Sequence, residues 1–308
     1  MTNKICAITS YFNPSKSKRR LENYKAFAKE LNLLLVTVEL STDEANFELN
    51  KSDADIYIPV VNSAVLWHKE SLLNIALKYV PDHIDYIVWL DCDIIFDNKN
   101  WAADLPEYLE KYNLVQLFSS LYDLHKDDLQ FDSHKLTLSG YSIAYLNSTN
   151  SIHQSSLNPK TTSDMRSTLF GLAWGAKKHL LTTHGFYDAM IVGSGDRSMF
   201  CAGIGEYNVI KDSLRLNEKR FNHFLDWATP FHKSVDSKIG YLQGKLFHLW
   251  HGEINNRKYL ERHIEFSELN FNPFCDIHKM SNGTWNWGNN TEACQLFLKN
   301  YFFQRKEV

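Results

Sequence analysis

Asp91 and Asp93 flank Cys92 at the end of an almost wholly apolar run, Ile84-Asp-Tyr-Ile-Val-Trp-Leu-Asp-Cys-Asp-Ile-Ile-Phe. An apolar run of about 4 to 8 residues reads as a strand buried on both faces. Two carboxylates delivered at its exit require a cation. Ligands of an open parallel sheet gather at the carboxyl ends of its strands, and Mg²⁺ or Mn²⁺ prefer carboxylate oxygens. The pair is therefore read as a metal site, against the plainer reading of Asp as a common strand-to-loop residue.

Other residues could complete such a site. His248-Leu-Trp-His251-Gly lies late in the chain on an expected strand. Strict strand geometry puts positions i and i+3 on opposite faces, so a bend is needed for both histidines to reach one ion. Gly193-Ser-Gly-Asp196 offers an acid that suits either a helix N-cap or a general base. Lys69 sits within Leu66-Trp-His-Lys-Glu-Ser-Leu-Leu-Asn-Ile-Ala-Leu77, an amphipathic helix in its plainer reading. In Thr9-Ser-Tyr-Phe-Asn13, Tyr11 can stack and Asn13 can hydrogen-bond; Arg257 and Lys258 can meet phosphate oxygens.

Taken in their order along the chain, four pieces between residues 9 and 258 resemble the GT-A glycosyltransferases, most closely the galactosyltransferases that make β1,4 linkages. The resemblance implies that Lys69 lies near a nucleotide-sugar. It implies that Asp93 binds Mn²⁺ (or Mg²⁺) while Asp91 lies near the ribose and in the metal's shell. His248 and His251 would complete the coordination. Gly171-Leu-Ala-Trp174-Gly-Ala is similar to the family's floor strand, which places Gly171 and Trp174 beside the acceptor. Asp196 would deprotonate the acceptor hydroxyl, although Gly195 before it and Arg197-Ser198 after it depart from the family's acidic cluster. Thr9, Tyr11 and Asn13 would hold the nucleoside, and Arg257 and Lys258 the diphosphate.

The implied activity is metal-dependent transfer of a sugar, with inversion, from a nucleotide-sugar donor, expected to be a UDP-sugar. The acceptor is left open among glycan, protein, small molecule and modified nucleic acid. A looser similarity of the whole chain, tail included, is to glycosyltransferase-like proteins of bacteriophages. Two other classes fit the same acids: a nucleotidyltransferase, and a non-catalytic protein that binds carbohydrate or nucleic acid.

The elements that must position these residues follow from periodicity. Ile5–Ile8 reads as a strand, Leu21, Tyr24, Ala28 and Leu31 as a helix face, and Leu33–Val38 as a second strand, which together open a parallel sheet. A strand at Asp55–Val61 and a helix from Leu66 that closes at Pro81 precede the Asp91 strand. A helix at Leu105–Tyr112 and a strand at Leu114–Phe118 follow. His125–Met165 loses periodicity and reads as a long, mobile loop. Ser167–Ala176 reads as one strand, followed by a short helix that Gly185 ends. The fold class is α/β, GT-A and Rossmann-like, with a mostly parallel central sheet flanked by helices. Residues 1–265 form the transferase domain, split into a nucleotide-binding half (1–120) and an acceptor-binding half (121–265), with 266–308 as a C-terminal extension packed on it.

Composition sets the outer limits. The 308 residues are 44% hydrophobic and 22% charged, which is ordinary for a globular protein able to bury a large core. A formal net charge of −3 gives no global field for nucleic acid or anionic membrane. The basic run Lys16-Ser-Lys18-Arg19-Arg20 reads as a solvated helix start. Five scattered cysteines without a CxxC pair suggest reduced thiols. With no apolar stretch of ~20 residues and no signal-like start, a cytoplasmic protein without a membrane span is expected. The sequons at Asn147, Asn282 and Asn289 then carry no meaning.

Overall fold

The computed structural model describes residues 2–126, 136–159 and 161–306. The chain opens with β1 (Ile5–Phe12), α1 (Lys18–Glu30), β2 (Leu34–Ser41), β3 (Ile56–Val61), α2 (Lys69–Leu77) and β4 (Tyr86–Leu90). β5 (Ile94–Phe96), α3 (Leu105–Lys111), β6 (Leu114–Gln116) and β7 (Ser120–Asp123) follow. Next come β8 (Leu138–Ser142), α4 (Ile143–Ser148), α5 (Gln154–Leu157), α6 (Thr162–Ser167), β9 (Thr168–Leu169) and β10 (Ala173–Lys177). Four helices are consecutive: α7 (Lys178–His184), α8 (Gly195–Ile204), α9 (Tyr207–Ser213) and α10 (Glu218–Val235). The chain ends with β11 (Ile239–Tyr241), β12 (Lys245–His248), α11 (Glu261–Ser267), β13 (Ile277–Lys279), β14 (Trp285–Trp287) and α12 (Glu292–Gln304).

The expected α/β architecture is present. A seven-stranded sheet runs β11-β6-β10-β4-β1-β2-β3, and within it only β10 pairs antiparallel with its neighbours. Alternate side chains feed two cores, as the strand period of two requires. Cys6, Ile8, Ile87 and Trp89 face one, while Ile5, Ala7, Val88 and Leu90 face the other. Both faces are covered, which explains why these strands read as continuous apolar runs rather than alternating ones.

A second sheet, β5-β12-β7-β8-β9, stands beside the first. β12 runs antiparallel to β5 and parallel to β7, so His248 pairs with Ile94 on one side and Asp123 on the other. This register brings a residue near 250 next to the Asp93 turn. The C-terminal residues contact the rest of the chain. Asn62 Nδ2 donates to Thr284 Oγ1 at 2.7 Å and to the Trp285 carbonyl at 2.9 Å, and Phe302 stacks on Trp67. The division expected after residue 265 falls inside α11.

Two expectations are corrected and one helix is added. The stretch 125–165 is not one long loop, because β8, α4, α5 and the start of α6 lie in it; residues 127–135 are outside the described residues. Short elements with polar exposed faces carry too little periodicity to show in sequence. Ser167–Ala176 is not one strand: it is the last residue of α6 followed by β9 and β10 in different sheets, broken where Leu172 takes φ +82°. The 18-residue α10, which buries Phe221, Phe224, Ala228, Phe231 and Val235, was not anticipated although its 3–4 spacing is written in the sequence.

Candidate active site

A cavity of about 310 Å³ opens at the carboxyl ends of β1 and β4, where open α/β sheets place ligands. Four carboxylates line it: Asp91, Asp93, Asp123 and Asp196. So do His248, His251 and Lys69.

At one end Asp93, His248 and His251 hold a ligand atom each within 4.8 Å of one another. His251 Nε2 is 3.1 Å from Asp93 Oδ2 and 3.2 Å from His248 Nε2. The bend that the i, i+3 spacing requires exists. β12 stops at His248, the Leu249 amide donates to the Asp93 carbonyl at 2.8 Å, and Asn23 Nδ2 holds the Trp250 carbonyl at 3.0 Å. His248 Nδ1 bonds Asp123 Oδ1 at 2.9 Å, which leaves Nε2 facing Asp93. A carboxylate behind a histidine in this way fixes the ring for metal binding.

The fit to a divalent cation rests on one orphaned atom. Asp93 Oδ1 is buried and, among the described residues, has no hydrogen-bond partner, which a protein rarely tolerates unless something else meets it. One carboxylate and two imidazoles suit Mn²⁺ or another borderline divalent ion. Burial alone would raise the Asp93 carboxyl, but His251, His248, Arg20 and Arg257 outweigh it and hold it below the usual range. Arg257 also lies against the His251 ring, with Nη2 at 2.6 Å from Nδ1.

In the same cavity Lys69 joins two acids. Its Nζ lies 2.6 Å from Asp91 Oδ1 and 2.8 Å from Asp196 Oδ2. Burial would depress the ammonium, yet Asp196 and Asp91 hold it well above the ordinary lysine range. Asp91 is pushed up by burial, with Lys69 opposing that rise. Asp91 therefore stands outside the Asp93 cluster, and its carboxylate is held by Lys69. Asp196 is the second residue of α8, and Ser194, at φ +78°, precedes the helix without a side-chain capping bond. Gly171 passes so close that a Cβ there would meet Asp196 Oδ2 at 2.8 Å. Under Gly195 lies Glu70, whose Oε1 would be 2.0 Å from a Cβ at that position. Burial raises Glu70 to about 8.

Several expected residues are elsewhere. Thr9 is buried and donates to the Leu90 carbonyl; Tyr11 bonds Glu48, and Asn13 Nδ2 donates to Glu48 and the Ser17 carbonyl. The intervening positions Ser10, Phe12 and Pro14 line the cavity instead. The expectation named the wrong face of β1, and a period of two turns that slip into a complete exchange. Trp174 is fully buried, 6.4 Å from its partner Trp89 in a stacked pair, with Nε1 donating to Phe170 O at 2.7 Å. A sugar platform needs an open ring face, which Trp174 lacks. Lys258 donates to Gln304 Oε1 and does not line the cavity, whereas Arg257 does.

No local pattern points to Arg262 and Arg305, which reach the cavity from the C-terminal part, or to Asp123. Arg20, read as part of a solvated run, turns inward from α1. Arg197 was noted only as a departure from a motif, yet it lines the same space.

No protein-family model matches the sequence, and no curated protein matches it. Among solved structures, the chain is similar to the catalytic domain of Drosophila β1,4-galactosyltransferase 7 in complex with xylobiose. Identity there is 11%, with 96% of this chain and 98% of that one covered, at a TM-score of 0.40. It is also similar to glucosyl-3-phosphoglycerate synthase of Mycobacterium tuberculosis in complex with Mn²⁺, UDP-glucose and phosphoglyceric acid (14% identity, 86% and 78% covered, TM-score 0.39). A third is 4-diphosphocytidyl-2C-methyl-D-erythritol synthase of Anaerococcus prevotii (12%, 79% and 88%, TM-score 0.37). Likenesses this distant leave the reading of the site to its own geometry.

Proposed function

We propose that the chain is a metal-dependent glycosyltransferase of the GT-A type that moves a sugar from a UDP-sugar to an acceptor hydroxyl with inversion. The observation that carries this reading is the presence, in one cavity, of both the Asp93–His248–His251 cluster and the Lys69-bound Asp196. Asp93, His248 and His251 would hold Mn²⁺ or Mg²⁺. When bound, the ion neutralises the charge that develops on a departing diphosphate. Arg257 stands beside the cluster and supplies a second positive group for the same oxygens.

The chain's own residues do the rest. Asp196 accepts the proton of the acceptor hydroxyl, and Lys69 holds its Oδ2 so that Oδ1 is the oxygen to receive it. Asp91, tied to the other side of Lys69, lies near the ribose. Ser10, Phe12 and Pro14 flank the nucleoside in place of Thr9, Tyr11 and Asn13. Gly171 gives the acceptor close access to Asp196. Five cysteines, all free, suit a cytoplasmic setting, and among the described residues no helix is long and apolar enough to cross a membrane.

Calorimetry with UDP in the presence and absence of Mn²⁺ tests the reading. Metal-dependent binding of UDP, with release of UDP from a UDP-sugar on addition of an acceptor panel, is expected. Release of pyrophosphate from a nucleoside triphosphate and a sugar phosphate would make the chain a nucleotidyltransferase instead.

A further inference from the structure

The turn that delivers Asp196 is strained. Gly193 and Ser194 are both left-handed, at φ +88° and +78°, and only the first is a glycine. A residue with a side chain stays in that region only where its surroundings over-determine it.

Those surroundings come from two directions. The Ser194 carbonyl accepts from the Ser198 amide and the Ser198 hydroxyl, each at 3.0 Å, which opens α8. The Ser194 hydroxyl accepts from Arg262 Nη2 at 3.3 Å and donates to His263 Nε2 at 2.9 Å. Arg262 sets the direction of that second bond, because its Nε donates to the same imidazole nitrogen at 3.4 Å. Burial, with Arg262, Arg220 and Arg197 nearby, keeps His263 well below the usual histidine range, so the ring is neutral and this nitrogen accepts. Arg262 is anchored in turn. Its Nη1 donates to the Tyr301 hydroxyl at 2.6 Å, which donates to the Arg257 carbonyl at 3.2 Å. Arg262, His263 and Tyr301 are all buried, so water does not compete for these bonds.

Each residue of Ser194-Gly-Asp196 is thus gripped by a different partner. Gly195 rests on Glu70, and Lys69 binds the end of the Asp196 side chain. The backbone from which that side chain springs is gripped through Ser194, by residues of α11 and α12. A reacting group has to be held to within about 0.5 Å, and supporting hydrogen bonds of this kind do so. We infer that Arg262, His263 and Tyr301 are positioning residues for transfer: through Ser194 they fix the start of α8 and so the direction in which Asp196 enters the cavity. The inference rests on the reading of Asp196 as the base, and it makes the C-terminal helices a working part of the site.

Two variants test it. Ser194→Gly keeps the left-handed backbone and removes the hydroxyl, whereas Tyr301→Phe removes one oxygen and leaves Ser194 in place. With folding checked by circular dichroism, each should lower kcat for transfer from a UDP-sugar by roughly 10–100-fold, the cost of misplacing a reacting group, while Mn²⁺-dependent UDP affinity and acceptor KM stay within about twofold. The double variant should be no slower than Ser194→Gly, because both changes cut one chain of bonds. An unchanged kcat, a UDP affinity or acceptor KM that worsens in step with kcat, or single effects that multiply in the double variant would overturn the inference. Should Ser194→Gly not fold, Tyr301→Phe decides by the same split between kcat and KM. Hydrogen exchange separates this inference from the reading of the base. Amides at 194–199 should lose protection by roughly tenfold or more in both variants, whether or not transfer is seen. If the wild-type chain transfers to no acceptor, the base reading fails on its own; lost protection then upholds the brace on α8, and unchanged protection overturns it.

Discussion

Lys69 Nζ lies 2.8 Å from Asp196 Oδ2 although 127 positions separate the two residues. The contact joins the start of α2 to the start of α8, and it gives the proposed base a fixed orientation.

Removing the metal ligand and removing the base should have separable effects. Asp93→Ala is expected to abolish metal-dependent UDP binding, whereas Asp196→Asn should keep it and lower transfer by roughly 10²–10⁴-fold, the range of a general base. Calorimetry paired with a UDP-release assay reads both. Full activity in both variants would remove the site from this cavity.

Asp123 touches no donor in the proposed arrangement but orients His248. Asp123→Asn should weaken Mn²⁺ affinity by roughly 10–100-fold and leave the fold intact, as is usual for a group behind a metal-binding histidine. Manganese titration followed by electron paramagnetic resonance measures it; unchanged affinity would show that His248 is not a ligand.

Glu70 links the site to pH. Its folded carboxyl is raised by burial to about 8, so the folded state binds more protons than the unfolded state above the usual carboxyl range. The associated stability is complete below the unfolded value and is lost as pH rises toward 8, at up to about 1.4 kcal/mol per pH unit. Glu70→Gln should therefore have a higher melting temperature than wild type at pH 8 and no advantage at pH 4.5. Parallel melting curves of the two proteins across that range would contradict this.

Lys69→Met leaves Asp91 and Asp196 without their shared cation. Asp91, already pushed up by burial, should rise further, so the variant's loss of stability grows as pH rises from 5 to 7. Partial exposure of Asp91 limits the loss to about 3 kcal/mol. Urea unfolding at the two pH values provides the comparison.

Trp174→Ala should cost about 3–5 kcal/mol of stability, because a fully buried ring stacked on Trp89 is removed. At a temperature where the variant is folded, its acceptor KM should match wild type. A selective rise in acceptor KM would return Trp174 to the binding surface.

The sequence by itself determined the parallel frame and the two ends of the site. Apolar runs at Ile5–Ile8, Leu33–Val38 and Ile84–Leu90 read as strands buried on both faces, and Asp91 and Asp93 then fall at a carboxyl end. The glycines of Gly193-Ser-Gly-Asp196 and the His248, His251 spacing were legible too, because each is a local pattern. What the tertiary structure decided is which side of each element meets the cavity. Ser10, Phe12 and Pro14 rather than Thr9, Tyr11 and Asn13 line it, and Trp174 points into the core. On a strand buried on both faces the two faces look alike in sequence, so nothing local distinguishes them. Asp123, Arg262 and Arg305 join the site through strand register and a returning C-terminal segment, contacts that no local pattern encodes.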